Sequence, residues 1–249
     1  MMKMSLDYLD RRVFRKREGE ILLPDGTRRL VSDKFSVEFF EFLTMRYSHS
    51  SSYNSVYSSE NKEIIIKDED DFEISVQEKG LFFLSEDWKK NHDLSTEYLI
   101  KNKTAYHYTR ADLCFTTTED LRPLIDKIDV SKFSVAEFKK KGISETFTAG
   151  NSRFEFTYYN KSRQLKRVKN EHYLKLFKDN YPEDKELFRL EFRLRGKDTL
   201  AKIPSLMSEN IHLGKVAEEF FEAIQKRLIL PRKLKKQLQE VIENENRTK

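Results

Sequence analysis

The chain has 249 residues, 38% of them hydrophobic and 36% charged, so it can bury a full core and is not disordered by composition. The formal net charge of +5 is compatible with a polyanionic partner. A single cysteine, Cys114, excludes an intrachain disulfide and favours a reducing compartment. No apolar run approaches the roughly 20 residues of a membrane helix, and the charged start lacks the apolar middle of a secretory signal. We therefore expect a soluble cytoplasmic protein with no membrane partner.

The first third of the chain mixes charged, aromatic and serine-rich segments. Residues 1–19 predict either a short helix or a loosely held arm, and residues 35–47 carry phenylalanines at roughly helical spacing. Residues 48–59 are rich in serine and predict an exposed loop. The β-branched residues in 63–67 and 72–76 flank a polar turn, which predicts two paired strands.

The middle of the chain alternates between strand and helix patterns. Residues 85–103 predict a helix, residues 106–116 a strand, and residues 133–142 connecting structure. Residues 144–148 predict a further strand, which turns at Gly150 into the next one. Strands therefore outnumber helices in this part of the chain.

Three predicted strands, residues 106–116, 153–161 and 187–195, have two unlike faces because side chains alternate along a strand. The apolar faces, which can pack on a core, carry Thr109, Ala111, Leu113, Phe115, Phe154, Phe156, Tyr158, Phe188, Leu190, Phe192 and Leu194. Residues 215–230 and 232–244 have apolar side chains at helical spacing. The pattern predicts an α+β fold with a central, mainly antiparallel sheet that is covered by helices and followed by C-terminal helices.

No break in composition separates a second domain convincingly. We expect residues 1–205 to form one α+β domain and residues 206–249 to form a C-terminal helical extension. The extension could pack on the same domain, contact DNA or a partner, or pair two subunits into a homodimer, and the sequence leaves these alternatives open.

The faces opposite the apolar residues carry three carboxylates and a phenol, from Asp112, Glu155, Tyr159 and Glu191. If the strands share a sheet, these groups could converge on one surface, where carboxylate oxygens would suit Mg²⁺ or Mn²⁺. A bound cation polarises a phosphate oxygen, and a tyrosine can form an aryl phosphodiester that is later reversed. Taken singly, each carboxylate is more often the ion-pair partner of an arginine, and a tyrosine is more often a packing residue.

A basic segment follows the middle strand of these three. Between residues 153 and 178 there are eight lysines and arginines and two acidic residues, which gives a local net charge of +6. Such a run is commonly a solvated face, but interleaved aromatic residues favour nucleic acid as a partner. The predicted DNA contacts are Arg110, Arg153, Arg163, Lys166, Arg167, Lys169, Arg189 and Arg193.

The order of three short motifs resembles a known family. Arg110-Ala111-Asp112 lies on one strand, Tyr159-Asn160-Lys161 ends a second, and residues 189–194, with the sequence Arg-Leu-Glu-Phe-Arg-Leu, lie on a third. This order resembles the rolling-circle replication initiators of the plasmid Rep-trans type, and it is similar to the gene-two replication proteins of filamentous phages. Those families have an Arg-x-Asp strand, a strand ending in the nicking tyrosine, and an Arg-x-Glu strand. The resemblance covers residues 106–200.

The resemblance implies a metal-dependent DNA nicking endonuclease and strand transferase. Carried over by position, Tyr159 would be the nucleophile, Asp112 and Glu191 would be metal ligands, and Asn160 and Lys161 would support the phosphate. The cofactor would be Mg²⁺ or Mn²⁺. The partners would be origin DNA, single-stranded or in a hairpin, and the helicase and polymerase of a bacterial host. Both a plasmid and a phage source remain open.

Three positions do not follow from matching the family's motifs to this sequence. Glu155 is added as a third metal ligand from strand parity alone. The family often has a second Asp four residues beyond the first, where this chain has Thr116. Tyr158 precedes Tyr159 and could be mistaken for the nucleophile, but parity favours Tyr159 because Tyr158 shares the apolar face.

Two other functions compete with the nicking enzyme. A DNA-binding regulator with the same fold would bind DNA through the basic segment and do no chemistry. A metal-dependent phosphodiesterase would use water as the nucleophile and leave no DNA end linked to protein.

Overall fold

The computed structural model describes residues 2–15, 20–22, 28–30, 49–52, 55–58, 62–67, 72–79, 86–101, 106–140, 143–169, 171–208 and 211–247. The strands are β1 (Met2–Arg15), β2 (Glu20–Leu22), β3 (Arg28–Leu30), β4 (His49–Ser52), β5 (Ser55–Ser58), β6 (Lys62–Lys67), β7 (Phe72–Lys79), β8 (Tyr106–Thr117), β9 (Ser134–Lys140), β10 (Ile143–Gly150), β11 (Phe154–Asn160) and β12 (Phe188–Arg195). The helices are α1 (Glu86–Lys101), α2 (Arg122–Ile125), α3 (Lys161–Leu165), α4 (Glu171–Asn180), α5 (Lys197–Leu200), a 3₁₀ turn (Pro204–Met207), α6 (Leu213–Gln225) and α7 (Arg232–Arg247).

Ten strands form one sheet in the order β4-β5-β6-β7-β1-β8-β12-β11-β10-β9, and β2 and β3 pair separately. Every pairing within the large sheet is antiparallel. The first strand of the chain therefore lies inside the sheet, between β7 and β8. The predicted α+β fold with an antiparallel sheet and C-terminal helices is confirmed.

The register of β8, β12 and β11 places the polar positions of the three strands next to one another. Glu191 pairs with Cys114 on one side and with Thr157 on the other. Arg193 pairs with Asp112 and with Glu155. Because directly paired residues point to the same side of a sheet, these side chains share one surface, which we call the polar face.

The opposite side, the apolar face, is the main hydrophobic core. It is built from the alternating residues of β8, β11 and β12 that the sequence predicted, such as Leu113, Phe156 and Phe192, all fully buried. Helices α6 and α7 cover it with residues that include Phe220 and Leu238. The C-terminal helices thus pack on the same core as the sheet, while the predicted boundary at residue 205 remains a prediction.

Three local predictions are wrong and several are confirmed. Residues 1–19 contain the long strand β1 instead of a helix or loose arm, and residues 48–59 contain the β4–β5 hairpin. Residues 133–142 contain the edge strand β9 instead of connecting structure alone. The predicted strands β6, β7, β8, β10, β11 and β12 and helices α1, α6 and α7 are present. The predicted helix at 35–47 lies outside the described residues.

Among the described residues, no helix has both the length and the apolar composition that a membrane span requires.

Candidate functional site

A cavity of about 280 Å³ opens on the polar face beside the end of β11. We call it the tyrosine pocket. Carboxylates, cations and a phenol surround it, and apolar side chains contribute little. Its lining residues are Thr146, Glu155, Thr157, Tyr159, Asn160, Arg163, Gln164, Arg167, Glu191 and Arg193.

Tyr159 places its hydroxyl between a carboxylate and an amine in this pocket. The hydroxyl donates to Oε1 of Glu191 at 2.5 Å. Nζ of Lys161 lies 3.4 Å from the same hydroxyl. The side chain is only 8% exposed, so the phenol oxygen is held in a fixed position with both a proton acceptor and an ammonium group in reach.

Lys161 is buried although it carries an ionisable amine. It is 1% exposed, donates to Gln164 at 2.6 Å, and sits over the ring of Phe177 at 4.8 Å from the centroid. Burial, and then the positive charge of Arg189, lower the pKa of Lys161 to about 7. A lysine with this pKa can be present as a neutral amine near pH 7, which an ordinary lysine cannot.

Two carboxylates converge on a buried arginine below Tyr159. Arg189 is fully buried and contacts Asp7 on β1 and, at 3.3 Å, Glu191 on its own strand. Burial raises the pKa of Asp7 in spite of this arginine. Burial acts in the same direction on Glu191, but Arg189, Lys161 and the hydrogen bond from Tyr159 outweigh it and lower the pKa of Glu191. Glu191 therefore stays ionised beside the phenol.

Among the described residues, one group of three side chains could together hold a metal ion. It consists of Asp7, Glu191 and Cys114, whose possible ligand atoms lie within 4.8 Å of one another. The two carboxylates are hard oxygen ligands of the kind that Mg²⁺ and Mn²⁺ prefer. Burial raises the pKa of the Cys114 thiol well above its usual value, so this side chain remains a neutral thiol and is a poor ligand for either ion. The donor set thus fits a hard divalent cation held by two carboxylates.

Asp7 is the residue that the sequence reasoning missed. Its signal was present, because Met2, Met4 and Leu6 alternate with polar residues and put Asp7 on the polar parity of a strand. The interpretation of residues 1–19 as a helix or arm hid that alternation.

The predicted ligands Asp112 and Glu155 lie on the polar face but outside this group. Asp112 accepts from Arg110 at 2.6 and 2.9 Å and from Arg193 at 3.0 and 3.1 Å. Glu155 accepts from Arg193 and, at 3.4 Å, from Arg195. The structure therefore surrounds both carboxylates with guanidinium groups, and their role as metal ligands remains a prediction.

The predicted DNA contacts fall into two sets. Arg153, Arg163, Lys166, Arg167 and Lys169 are exposed. The other three are engaged within the protein: Arg110 stacks over Tyr8 at 3.7 Å, Arg193 pairs with two carboxylates, and Arg189 is buried.

Asn160 shapes the entrance to the tyrosine pocket. Its side chain accepts from the backbone N–H of Arg163 at 2.9 Å and caps helix α3. It also donates to Glu186 at 2.7 Å. The predicted contact of Asn160 with a phosphate remains a prediction, and in the structure this residue sets the position at which α3 begins.

Tyr158 lies on the other side of the sheet from Tyr159. Its hydroxyl donates to Asp120 and accepts from the backbone N–H of Leu121 at 2.9 Å. Burial and the hydrogen bond to Asp120 raise the pKa of Tyr158 far above that of an ordinary tyrosine. A buried phenol that is this hard to ionise is unsuited to nucleophilic attack.

Comparison with known proteins relates this fold to a replication protein. No protein-family model and no curated protein sequence matches the chain. The chain is similar to a solved structure of a rolling circle replication initiator protein from Geobacillus stearothermophilus, with a TM-score of 0.56 and 16% sequence identity. The alignment covers 98% of this chain and 97% of that one. The predicted resemblance to rolling-circle initiators is thereby confirmed at the level of the fold.

Proposed function

We propose that this protein is a rolling-circle replication initiator that nicks one DNA strand through Tyr159 and transfers the strand. The observation that carries the proposal is the position of the Tyr159 hydroxyl, between Glu191 and Lys161 in a polar pocket with Arg163 and Arg167 at its exposed edge. The full-length similarity of the fold to that of a replication initiator supports the same conclusion.

In the proposed reaction the Tyr159 oxygen forms a bond to phosphorus while the bond from phosphorus to the 3′ oxygen breaks. The product is a 5′-phosphotyrosine and a free 3′-hydroxyl, whose proton comes from water. For this step the Tyr159 hydroxyl, which donates to Glu191 in the structure, would turn to Lys161, 3.4 Å away. The neutral amine of Lys161, with a pKa of about 7, is a suitable general base near neutral pH and would take the phenol proton. Attack by the 3′-hydroxyl of a strand end on the phosphotyrosine reverses the step and rejoins DNA.

We propose Asp7 and Glu191 as the residues that would hold Mg²⁺ or Mn²⁺, with Asp7 in place of Asp112. Asp7 and Glu191 share a single arginine, Arg189, and bring their oxygens together, whereas Asp112 is paired with two arginines and lies outside this group. When bound, the ion would polarise the phosphate and stabilise the charge that develops on it. Calorimetric titration with MnCl₂ tests this assignment directly: Asp7→Asn should abolish binding, and Asp112→Asn should leave it measurable.

DNA would reach the tyrosine pocket along the exposed cations Arg153, Arg163, Lys166, Arg167 and Lys169. These contacts would be mainly to phosphates and would weaken as salt rises. The free 3′-hydroxyl would serve a host polymerase, and a host helicase would open the duplex ahead of it. Both partners follow from the proposed reaction.

Covalent capture of DNA is the deciding experiment. A pool of randomised single-stranded oligonucleotides with a fluorescent label at the 3′ end is incubated with protein and MnCl₂, then run on a denaturing gel. Because the protein retains the downstream fragment, a labelled protein band reports the phosphotyrosine. Tyr159→Phe should reduce this band by about 10⁴-fold or more, as expected for loss of a nucleophile. The matched variant Tyr158→Phe should keep it.

An adduct that survives Tyr159→Phe would refute the assignment of the nucleophile. The second candidate function, a DNA-binding regulator without chemistry, is favoured by Arg189, which already pairs with both Asp7 and Glu191. It is supported if the wild-type protein binds DNA in a salt-dependent way and neither nicks it nor forms an adduct. Cleavage without any adduct would instead support a water-dependent phosphodiesterase.

A further inference from the structure

A second cavity, of about 350 Å³, lies beside the tyrosine pocket. It is formed by helix α3, helix α4 and the segment that leads into β12. We call it the lysine-rimmed pocket, after Lys166, Lys178 and Lys185 at its edge. Its volume falls within the roughly 300–1,000 Å³ range of small-molecule sites, and the reaction proposed above makes no use of it.

Helix α3 separates the two pockets. Arg163 and Gln164 line the tyrosine pocket, while Ser162 and Leu165 line the lysine-rimmed pocket. The helix is only five residues long and begins directly after Asn160. A strand bound with one phosphate at Tyr159 therefore has the second pocket within reach of a neighbouring nucleotide.

The inner wall of the lysine-rimmed pocket is apolar and partly aromatic. Leu165, Leu174 and Leu187 line it together with two rings, Phe177 and Tyr181. The rings are stacked, with centroids 5.5 Å apart and planes at 22°. Both rings are largely buried, while Leu165 and Leu174 are partly exposed. The wall therefore offers a small apolar surface, large enough for the edge or one face of a single flat group.

The rim is positively charged. Lys166, Lys178 and Lys185 are exposed, and the single acid among the lining residues is Glu183, which lies 3.6 Å from Lys178. Three cations against one carboxylate favour an anionic ligand. A flat apolar group attached to an anion is the chemistry of a nucleotide, in which the base meets the wall and the phosphate meets the rim.

We infer that the lysine-rimmed pocket binds one base of the single-stranded DNA, next to the nucleotide whose phosphate lies at Tyr159. The inference rests on the proposed function, because it assumes that the strand is the substrate. The pocket also contacts the reacting groups: the Phe177 ring that forms its wall lies 4.8 Å from Nζ of Lys161 and 5.7 Å from the Arg189 guanidinium. A base in the pocket would hold this ring, and hence the lysine beside Tyr159, in place.

The test compares two labelled probes by fluorescence anisotropy at low salt. One is a twelve-nucleotide oligothymidylate, and the other has the same backbone with every base removed. Because stacking of one base contributes a factor of about five or more, the wild-type protein should bind the oligothymidylate at least about fivefold more tightly. Leu174→Ala, which removes part of the apolar wall, should reduce this preference by half or more.

A matched pair of charge reversals on helix α4 tests the rim. Lys178→Glu and Lys175→Glu change the net charge equally, but only Lys178 lines the pocket, and both side chains are exposed. We expect Lys178→Glu to weaken oligothymidylate binding by about tenfold and Lys175→Glu by no more than about threefold, because the second effect is only the general loss of attraction to phosphate. Since Lys178 is exposed, this variant remains informative even if Leu174→Ala unfolds.

The outcomes separate this inference from the proposed function. The pocket would be refuted if Lys178→Glu and Lys175→Glu lost the same affinity for oligothymidylate and Leu174→Ala left the preference for bases unchanged. The adduct at Tyr159 would still form in that case, and the proposed function would stand. Failure of the wild-type protein to bind either probe would overturn the pocket, and the absence of an adduct with the randomised pool would overturn the proposed function.

Discussion

The two faces of one sheet are built from the same strands and differ in what they bury. On the apolar face, Phe192 packs against Phe115 and Phe156 under the C-terminal helices. On the polar face, its neighbours on β12 are charged, and Arg189 and Glu191 lie with Asp7 in a closely packed ionic group. Every second residue of β12 thus contributes to a hydrophobic core, and the residues between carry charges, from the fully buried Arg189 to the partly exposed Arg195.

This difference separates stability from chemistry within a single strand. Burial of apolar surface stabilises a fold without further conditions, whereas buried charges are stable only while every partner is present. Buried charges also shift one another's pKa values, which is useful for catalysis. We therefore expect substitutions on the apolar face to act through unfolding, and substitutions on the polar face to act through their partners.

The largest expected effect is on the apolar face. Phe192→Ala should lower the free energy of unfolding by about 3–5 kcal/mol, because it opens a cavity where a fully buried ring stood. Thr157→Ala on the polar face of β11 should lower it by about 1 kcal/mol or less, since it removes one partly buried hydroxyl contact with Thr148. Urea denaturation measures both, and equal losses would contradict the assignment of the two faces.

The next effect concerns the buried charges. Arg189→Met should destabilise the protein by about 3 kcal/mol at neutral pH, because it leaves Asp7 and Glu191 without their cation. Arg195→Met, on the same strand but 34% exposed, should cost less than about 1 kcal/mol. Urea denaturation measures the free energy of unfolding of both variants. Equal losses below about 1 kcal/mol would show that Asp7 and Glu191 do not depend on Arg189 as their buried cation.

Much of the apolar face was predictable from the sequence, because β8, β11 and β12 alternate cleanly and their parity is independent of the rest of the fold. The polar face was predictable only in part. Parity placed Tyr159 and Glu191 on the same side, and the structure brings their oxygens to 2.5 Å. Parity could not show that Arg189 is buried, since the helix carrying Phe177 covers it from another part of the chain.

Strand β1 shows why the rest was missed. Its pairing with β8 shifts register between Leu6 and Tyr8 and again between Asp10 and Arg11. Each shift interrupts the alternation of side chains, so the period-two pattern lasts only a few residues. The edge strand β9 was missed for a different reason: its residues 134–138 are exposed, the apolar Val135 and Phe138 among them, so no alternation of apolar and polar residues marks a buried face.

The adjacent residues Tyr158 and Tyr159 lie on opposite faces of the sheet, and we expect the Tyr158 hydroxyl to act through stability. Tyr158→Phe should cost about 2 kcal/mol in unfolding free energy, because the buried N–H of Leu121 loses its acceptor. Tyr106→Phe is the matched control, since its hydroxyl donates a long hydrogen bond of 3.4 Å to the carbonyl of Met207 in an exposed setting, and it should cost less than about 0.5 kcal/mol. Similar thermal melting curves for the two variants would argue against a structural role for the Tyr158 hydroxyl.

The smallest effect, counted over a single pH unit, is a change of stability with pH. Lys161 has a pKa of about 7 in the folded protein, against 10.5 when unfolded. Below pH 7 the Lys161 amine is protonated in both the folded and the unfolded state, so the full free-energy cost of burying an ammonium group opposes folding. As the pH rises from about 7 towards 10.5, the unfolded state binds more protons than the folded state, so folding becomes more favourable.

The wild-type protein should therefore gain stability relative to Lys161→Met over this window, by at most about 1.4 kcal/mol per pH unit. The charges facing Lys161 are those of Arg189, Asp7 and Glu191, with the neutral thiol of Cys114 beside them. Lys166→Met, at an exposed position, should follow the wild-type curve. Parallel curves for wild type and Lys161→Met would show that Lys161 has an ordinary pKa.

The position of β1 inside the sheet has a consequence for how the protein is made. Its partners are β7 and β8, and Met2 pairs with Thr117. During synthesis the first strand therefore leaves the ribosome long before the second of its two neighbours exists. Contacts that are so distant along the chain form slowly, and an unpaired strand is exposed to aggregation while it waits. Folding of the sheet around Asp7 must await the emergence of β8, so a chaperone that binds β1 early would raise the yield of folded protein.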